Sequence, residues 1–128
     1  MLAYIVLVHK NMKQVVRLIR SLEPDKNVIL IHVDIRVKDA QYDFIKSELR
    51  EYSNVMFVGR RKCNWGKFDL VSVTLDSMRI ITGERLSFSF CSLLSGQDFP
   101  IKSTKHIEQF LKKHVGKSFI DYFSLPSD

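Results

Sequence analysis

The chain opens with a continuous apolar run, Ala3-Tyr4-Ile5-Val6-Leu7-Val8. A strand with one wet face alternates apolar and polar residues, so an unbroken run predicts a strand buried on both faces. Val15, Leu18, Ile19 and Leu22 then recur at helical spacing, giving one apolar stripe, and Pro24-Asp25 ends that helix. Val28-Ile29-Leu30-Ile31-His32-Val33 predicts a second buried strand. Tyr42, Ile45, Leu49 and Tyr52 return to helical spacing, and Asn54–Val58 predicts a short third strand closed by Gly59. A helix is predicted from Lys67 to about Thr82, with Val71, Thr74, Leu75 and Met78 inward and Gly83 at its C-terminal end. Leu86–Leu94 reads as a fourth strand. Ser103 or Thr104 caps a last helix with Ile107, Phe110 and Leu111 inward, and Phe119–Phe123 begins a fifth strand.

Strand alternating with helix predicts an α/β fold: right-handed crossovers, a mainly parallel sheet, and helices on both faces. No linker, internal repeat or low-complexity segment divides the chain, so residues 1–128 are expected to form a single domain. A strand followed only by Ser124-Leu125-Pro126-Ser127-Asp128 suggests a fold cut short at its C-terminus.

Composition narrows the function classes. Apolar residues at 45% and charged residues at 27% fit a soluble globular chain and exclude a disordered one, while 5 Gly and 3 Pro exclude a collagen-like one. A net charge of +6 favours anionic partners, whether phosphates, nucleic acid or an acidic membrane surface. Cys63 and Cys91 make no disulfide framework and are expected to be buried free thiols. Together with His9, His32, His106 and His114 they show no CxxC, HExxH or other zinc spacing, so no metal and no cofactor are expected. No apolar run reaches the roughly 18 residues of a membrane span. The N-terminus lacks the positive leader and small-residue cleavage site of a signal sequence, which makes the expected compartment cytoplasmic.

Ligands of open α/β sheets bind beyond the carboxyl ends of the strands. Four such ends carry polar residues here: His9-Lys10-Asn11, Asp34-Ile35-Arg36, the Arg60–Gly66 loop, and Ser95–Pro100. A parallel sheet gathers all four on one rim. Each has a bland reading beside the functional one. His9 could merely bond the next loop, and Asp34 could cap the segment after it. His32 reads as a satisfied core histidine. Arg60, Arg61 and Lys62 read as solvated loop charges, and Trp65 as either a packing anchor or a platform for a ring. Gly96 and Pro100 could simply shape a turn. The chain has no GxGxxG, GxxxxGK[ST] or GxSxG. It also has no Asp-x-Asp, the usual holder of a divalent metal on a diphosphate leaving group, so cationic side chains would have to neutralise that charge.

Taken in order, His9-Lys10-Asn11, His32-Val33-Asp34, Asn64-Trp65-Gly66 and Leu93-Leu94-Ser95-Gly96-Gln97-Asp98-Phe99-Pro100-Ile101-Lys102-Ser103 resemble the core-2/I-branching β-1,6-N-acetylglucosaminyltransferase family, which also contains the peptide O-xylosyltransferases. The resemblance spans nearly the whole chain. It implies a GT-A-like, Rossmann-like domain and an inverting, metal-independent transfer of N-acetylglucosamine or xylose from a UDP-sugar to a glycan or protein hydroxyl. It implies donor contacts at Leu7, Val8 and His9, at Asp34, Ile35 and Arg36 with Asp34 near the uracil, and at Lys62 and Asn64. Asp121 is implied to meet the acceptor, while Trp65, Gly66, Ser95, Gly96, Asp98 and Pro100 are motif positions. The physics agrees, since a uracil imide N–H donates where a strand-tip Asp accepts. In the family the catalytic base, a Glu, and the cationic pair facing the diphosphate lie further on than residue 128, and neither Glu84 nor Glu108 matches the base motif. The chain alone is therefore expected to bind donor without turnover.

Three rival readings compete. One is a non-catalytic α/β module that binds a nucleotide or a protein partner. Another is a flavodoxin- or receiver-like domain, although a receiver would want acidic residues where His9-Lys10 stand. The third is nucleic-acid binding through Arg60-Arg61-Lys62, which no recognised signature supports; no nucleic-acid partner is expected. Anchored relatives of the family leave peripheral membrane association open.

Overall fold

A computed structural model describes residues 1–83 and 87–121. The order of elements is β1 (Ala3–Val8), α1 (Met12–Ser21), β2 (Val28–Val33), α2 (Asp39–Leu49), β3 (Val55–Phe57), α3 (Asp69–Gly83), β4 (Cys91–Ser95) and α4 (Thr104–Lys112). The strands form one sheet in the order β3-β2-β1-β4, and all three pairings are parallel. The two continuous apolar runs of the sequence are the two inner strands. Every residue of β2 is buried, and all of β1 but Leu7.

Alternation along these strands divides the core into two layers. Tyr4, Val6, Val8, Ile29, Ile31 and Val33 pack against Val15, Leu18 and Ile19 of α1 and Ile45 and Leu49 of α2. Ile107 and Leu111 of α4 lie against the same layer. On the opposite face, Ala3, Ile5, Val28 and Leu30 meet Ile81 of α3. Fully burying such an isoleucine or leucine side chain contributes about 1.5–3 kcal/mol. Asn27 enters β2 fully buried: its Oδ1 accepts from Leu2 N at 2.9 Å and its Nδ2 donates to Leu22 O at 2.8 Å.

Several expectations are corrected. The buried face of α3 is Val73, Thr74, Ser77 and Ile81, while Val71, Leu75 and Met78 are over 40% exposed. Thr74 and Ser77 can be buried because their hydroxyls donate to Leu70 O and Val73 O inside the same helix. β4 starts at Cys91, not at Leu86, a residue outside those described, as is Glu84; the segment before it bonds instead through Ser89 N to Met1 O. Cys91 is exposed, not buried, although both thiols are free. Phe119–Asp121 form no strand. Phe119 joins an aromatic cluster with Phe90, Phe110 and His114, and Phe110 is half exposed there. Tyr122, Phe123 and the residues to Asp128 lie outside the described part. Ser103 is the cap of α4, its hydroxyl accepting from His106 N.

After β3 the chain crosses to the far side of β1 to form β4. Crossover direction therefore reverses between β1 and β4, where an open α/β sheet leaves a crevice at the carboxyl ends of its strands.

Candidate functional site

A cleft of about 540 Å³ opens at this reversal. Its floor is Leu7 and Val8 from β1 and Leu93, Leu94 and Ser95 from β4. His9 after β1, His32 of β2, Asp34 and Arg36 of the turn after it, and Cys63, Trp65 and Leu70 from the following loop and α3 complete the lining. Apolar lining with a few convergent polar groups is the usual make-up of a small-molecule site.

Asp34 organises the polar side. It is 3% exposed although charged. Its Oδ1 accepts from Arg36 N and Arg36 Nε, both at 2.8 Å, and its Oδ2 accepts from Arg36 Nη2 at 2.7 Å and Cys63 N at 3.0 Å. The Arg36 guanidinium, aided by the amides of Arg36 and Cys63 and against the opposing effect of burial, holds the carboxyl well below the usual carboxylate range. Four N–H donors fill the roughly four lone-pair sites of a carboxylate. Asp34 thus both turns its own segment and ties it to the 60–64 loop, which Arg36 Nη2 also reaches at Cys63 O, 2.6 Å away. The Arg36 side chain remains 54% exposed, so cationic N–H groups stay available to a ligand.

The 60–64 loop is fixed from both sides of the sheet. Arg60, expected as a solvated charge, is only 14% exposed in its side chain. Its Nη2 donates to the carbonyls of Asp34, Ile35 and Val37, its Nη1 pairs with Asp39, and its guanidinium lies 4.4 Å from the Tyr42 ring centroid. Arg61 turns the other way, to Ser72 and Asp76 of α3. Both charges are therefore structural clamps. Asn64 donates through N and Nδ2 to Asp69 Oδ2, at 3.0 and 3.1 Å, which fixes the start of α3.

Seven of the implied positions meet at the cleft: Leu7, Val8, His9, Asp34, Arg36, Trp65 and Ser95. Trp65 is 95% exposed, so it anchors no packing among the described residues, and it lines the cleft. Ile35, Lys62 and Asn64 stand beside the cleft without lining it, and the Ile35 amide donates to Arg61 O. Asp121 is exposed and does not line it. Asp98 shapes the loop after β4 by accepting from Ser95 N at 2.7 Å, while Gly66 adopts φ 75°. The Gln97 amide nitrogen and His9 Nε2 are 3.5 Å apart across the rim. His32, Cys63, Leu70, Leu93 and Leu94 line the cleft without having been singled out as ligand contacts. The two leucines sit inside the quoted motif, and their place at the end of a strand was the available signal.

Gly96 marks the tightest approach. A Cβ there would lie 3.0 Å from Val15 Cγ2, 3.2 Å from Val8 Cγ2 and 3.6 Å from Leu7 O. Gly96→Val is expected to destabilise the fold by about 1–3 kcal/mol through overpacking. Urea denaturation measures it, and an unchanged midpoint would mean that β1 and α1 yield freely.

Of the residues lining the cleft, Asp34 is the one carboxylate, and its lone pairs are taken. Among the described residues no cluster of three His, Cys, Asp or Glu could hold a metal ion. No helix there is long and apolar enough to cross a membrane. The arrangement can bind an anionic, ring-containing ligand, and the described residues of the lining offer no free carboxylate.

Residues 2–128 match a family model described as core-2/I-branching enzyme. A probable β-1,3-galactosyl-O-glycosyl-glycoprotein β-1,6-N-acetylglucosaminyltransferase 7 of Sus scrofa is 30% identical over 87% of this chain and 26% of its own length. An N-acetyllactosaminide β-1,6-N-acetylglucosaminyltransferase of Homo sapiens is 27% identical over 91% of this chain and 29% of its own. The xylosyltransferase oxt of Drosophila pseudoobscura pseudoobscura is 28% identical over 87% of this chain and 13% of its own. The chain thus spans less than a third of the length of these relatives.

Proposed function

The chain belongs to the core-2/I-branching enzyme family of glycosyltransferases, and on that premise we propose that its cleft holds the UDP-sugar donor of a glycosyl transfer. The carrying observation is the convergence of His9, Asp34, Arg36, Trp65 and Ser95 at the β1–β4 reversal. The half-exposed guanidinium of Arg36 and the +6 charge suit a nucleoside diphosphate. The Trp65 face suits a ring. Asp34 serves this site by holding Arg36 and the Cys63 amide. It accepts a uracil imide N–H only by giving up one of its four bonds.

The sugar transferred is N-acetylglucosamine or xylose, and the acceptor is a hydroxyl of a glycan or protein. In an inverting transfer the acceptor oxygen bonds to the anomeric carbon as the bond to the β-phosphate oxygen breaks. UDP leaves with that electron pair, and the hydroxyl proton passes to a general base. Among the described residues the cleft lining contains no carboxylate free for that role, which supports reading the chain as a donor-recognising portion. Metal independence is proposed on the absence of Asp-x-Asp from the sequence. The alternative, a non-catalytic nucleotide-binding module, is favoured by that same saturated carboxylate.

Calorimetric titration with UDP, UDP-N-acetylglucosamine and UDP-xylose in EDTA tests the proposal. Saturable metal-free binding, weakened roughly tenfold or more in Arg36→Ala through loss of charge-assisted bonds, is expected. No binding of any of the three overturns it. Sugar transfer by the 128-residue chain would show that a base lies within it.

A further inference from the structure

His32 is a polar residue of the cleft lining that is only 2% exposed, and the donor reading above leaves it without a role. Its Nε2 lies 3.1 Å from Arg61 N and accepts that backbone N–H. The bond requires Nε2 to be unprotonated, so the neutral ring carries its hydrogen on Nδ1. Arg61 O in turn accepts from Ile35 N at 3.2 Å, and Cys63 N reaches Asp34 Oδ2. The imidazole is thus one of the contacts that fix residues 60–64, Cys63 among them, beside the cleft.

We propose that His32 is a positioning residue for the donor site: its neutral ring holds the Arg61 amide and so keeps the outer wall of the cleft in its binding geometry. This role rests on the donor reading only for its effect on affinity. The bond itself stands apart from that reading.

The surroundings fix the direction of the pH effect. Charged and titratable groups reach this region from the end of β1 (His9), from the turn after β2 (Asp34, Arg36) and from the loop (Arg60, Arg61, Cys63). From α3 come Asp69 and Asp76, already engaged by Asn64 and Arg61. Burial lowers the His32 pKa, opposed by Asp34 and assisted by Arg61 and Arg60. In the released loop the ring would return to its ordinary value near 6.5. The released form therefore binds more protons between the lowered value and about 6.5. The closed wall is fully favoured above that window and weakens as pH falls through it, by no more than tenfold per pH unit for one proton.

The test is the affinity for UDP-N-acetylglucosamine from pH 8 to pH 5, in wild type and His32→Gln. The two phosphates of this ligand are esterified and do not titrate in that range. Glutamine offers a neutral acceptor that acid does not remove. Wild-type affinity is expected to fall at least threefold relative to that of His32→Gln between pH 7 and pH 5, the other ionisable groups of the cleft being common to both proteins, and His32→Leu should bind more weakly than His32→Gln. The same pH dependence in wild type and His32→Gln overturns the role.

Hydrogen exchange separates this from failure of the donor reading. After correction for intrinsic rates, protection of the Arg61 and Cys63 amides should drop at least threefold over the same pH range in wild type alone. Should the nucleotide sugar bind neither protein, the donor reading fails and the exchange result decides the role of His32. Unchanged protection overturns it. Should His32→Gln not fold, the wild-type exchange profile is compared with the NMR titration of the His32 ring. Loss of protection that follows the ring supports the role, and loss that does not follow it overturns the role.

Discussion

Asp34→Ala is expected to lower folding stability by about 3 kcal/mol and to remove donor binding at the cleft. Each hydrogen bond to a charged group contributes about 1.5–3 kcal/mol, and a buried N–H left without a partner costs about 1–3 kcal/mol. The four bonds do not sum. Arg36 is half exposed and regains water when released, whereas the Cys63 amide sits in a buried residue and does not. The loss therefore centres on the link between the two loops. Because Arg36 holds the carboxyl below its ordinary range, its contribution is fully present at neutral pH and disappears only as pH falls below that range. Urea denaturation at pH 7 measures the stability and calorimetry the affinity. A change in stability under about 1 kcal/mol with intact binding would show that Asp34 organises nothing.

Arg60→Ala is the second large effect, expected at about 2 kcal/mol, and Arg60→Lys should recover little of it. The ion pair with Asp39 contributes little, because Asp39 is 92% exposed. The substance lies in one planar group that serves three carbonyls while stacked on Tyr42. An ammonium reproduces neither the fork nor the stacking. Among the described residues Arg60 Nε is buried and finds no partner, a cost that offsets part of the gain. Thermal denaturation of the three proteins checks the order. Full recovery by lysine would show that charge alone matters.

The parts of the fold legible in the sequence were those with a single physical explanation. The runs Ala3–Val8 and Val28–Val33 are continuous because β1 and β2 are inner strands covered on both faces. The helix through Val15, Leu18, Ile19 and Leu22 has one apolar stripe, and that stripe is buried. α3 misled because apolar residues lie all around it. Its buried face uses Thr74 and Ser77, whose hydroxyls are satisfied within the helix; the expected inner face held at Thr74 and failed at Val71, Leu75 and Met78. Convergence of the strand tips followed from parallel pairing alone, and it placed His9, Asp34 and Ser95 together. The clamping roles of Arg60 and Arg61 were hidden, since they depend on carbonyls and acids that only the folded chain brings near. The same holds for the Arg61 amide on His32.

The pairing of β1 with β4 joins Ala3 to Cys91 and Leu7 to Ser95. No hairpin or single crossover helps that seam to form. Nearly ninety residues of chain must be drawn into a closed loop first, and the entropy lost is recovered only when the long-range contacts appear. Partly condensed forms holding β1, β2 and the first two helices would have a hydrophobic layer and no binding crevice. Ligand capture requires this seam to be formed, and a nucleotide held across it would act as a latch on the completed state.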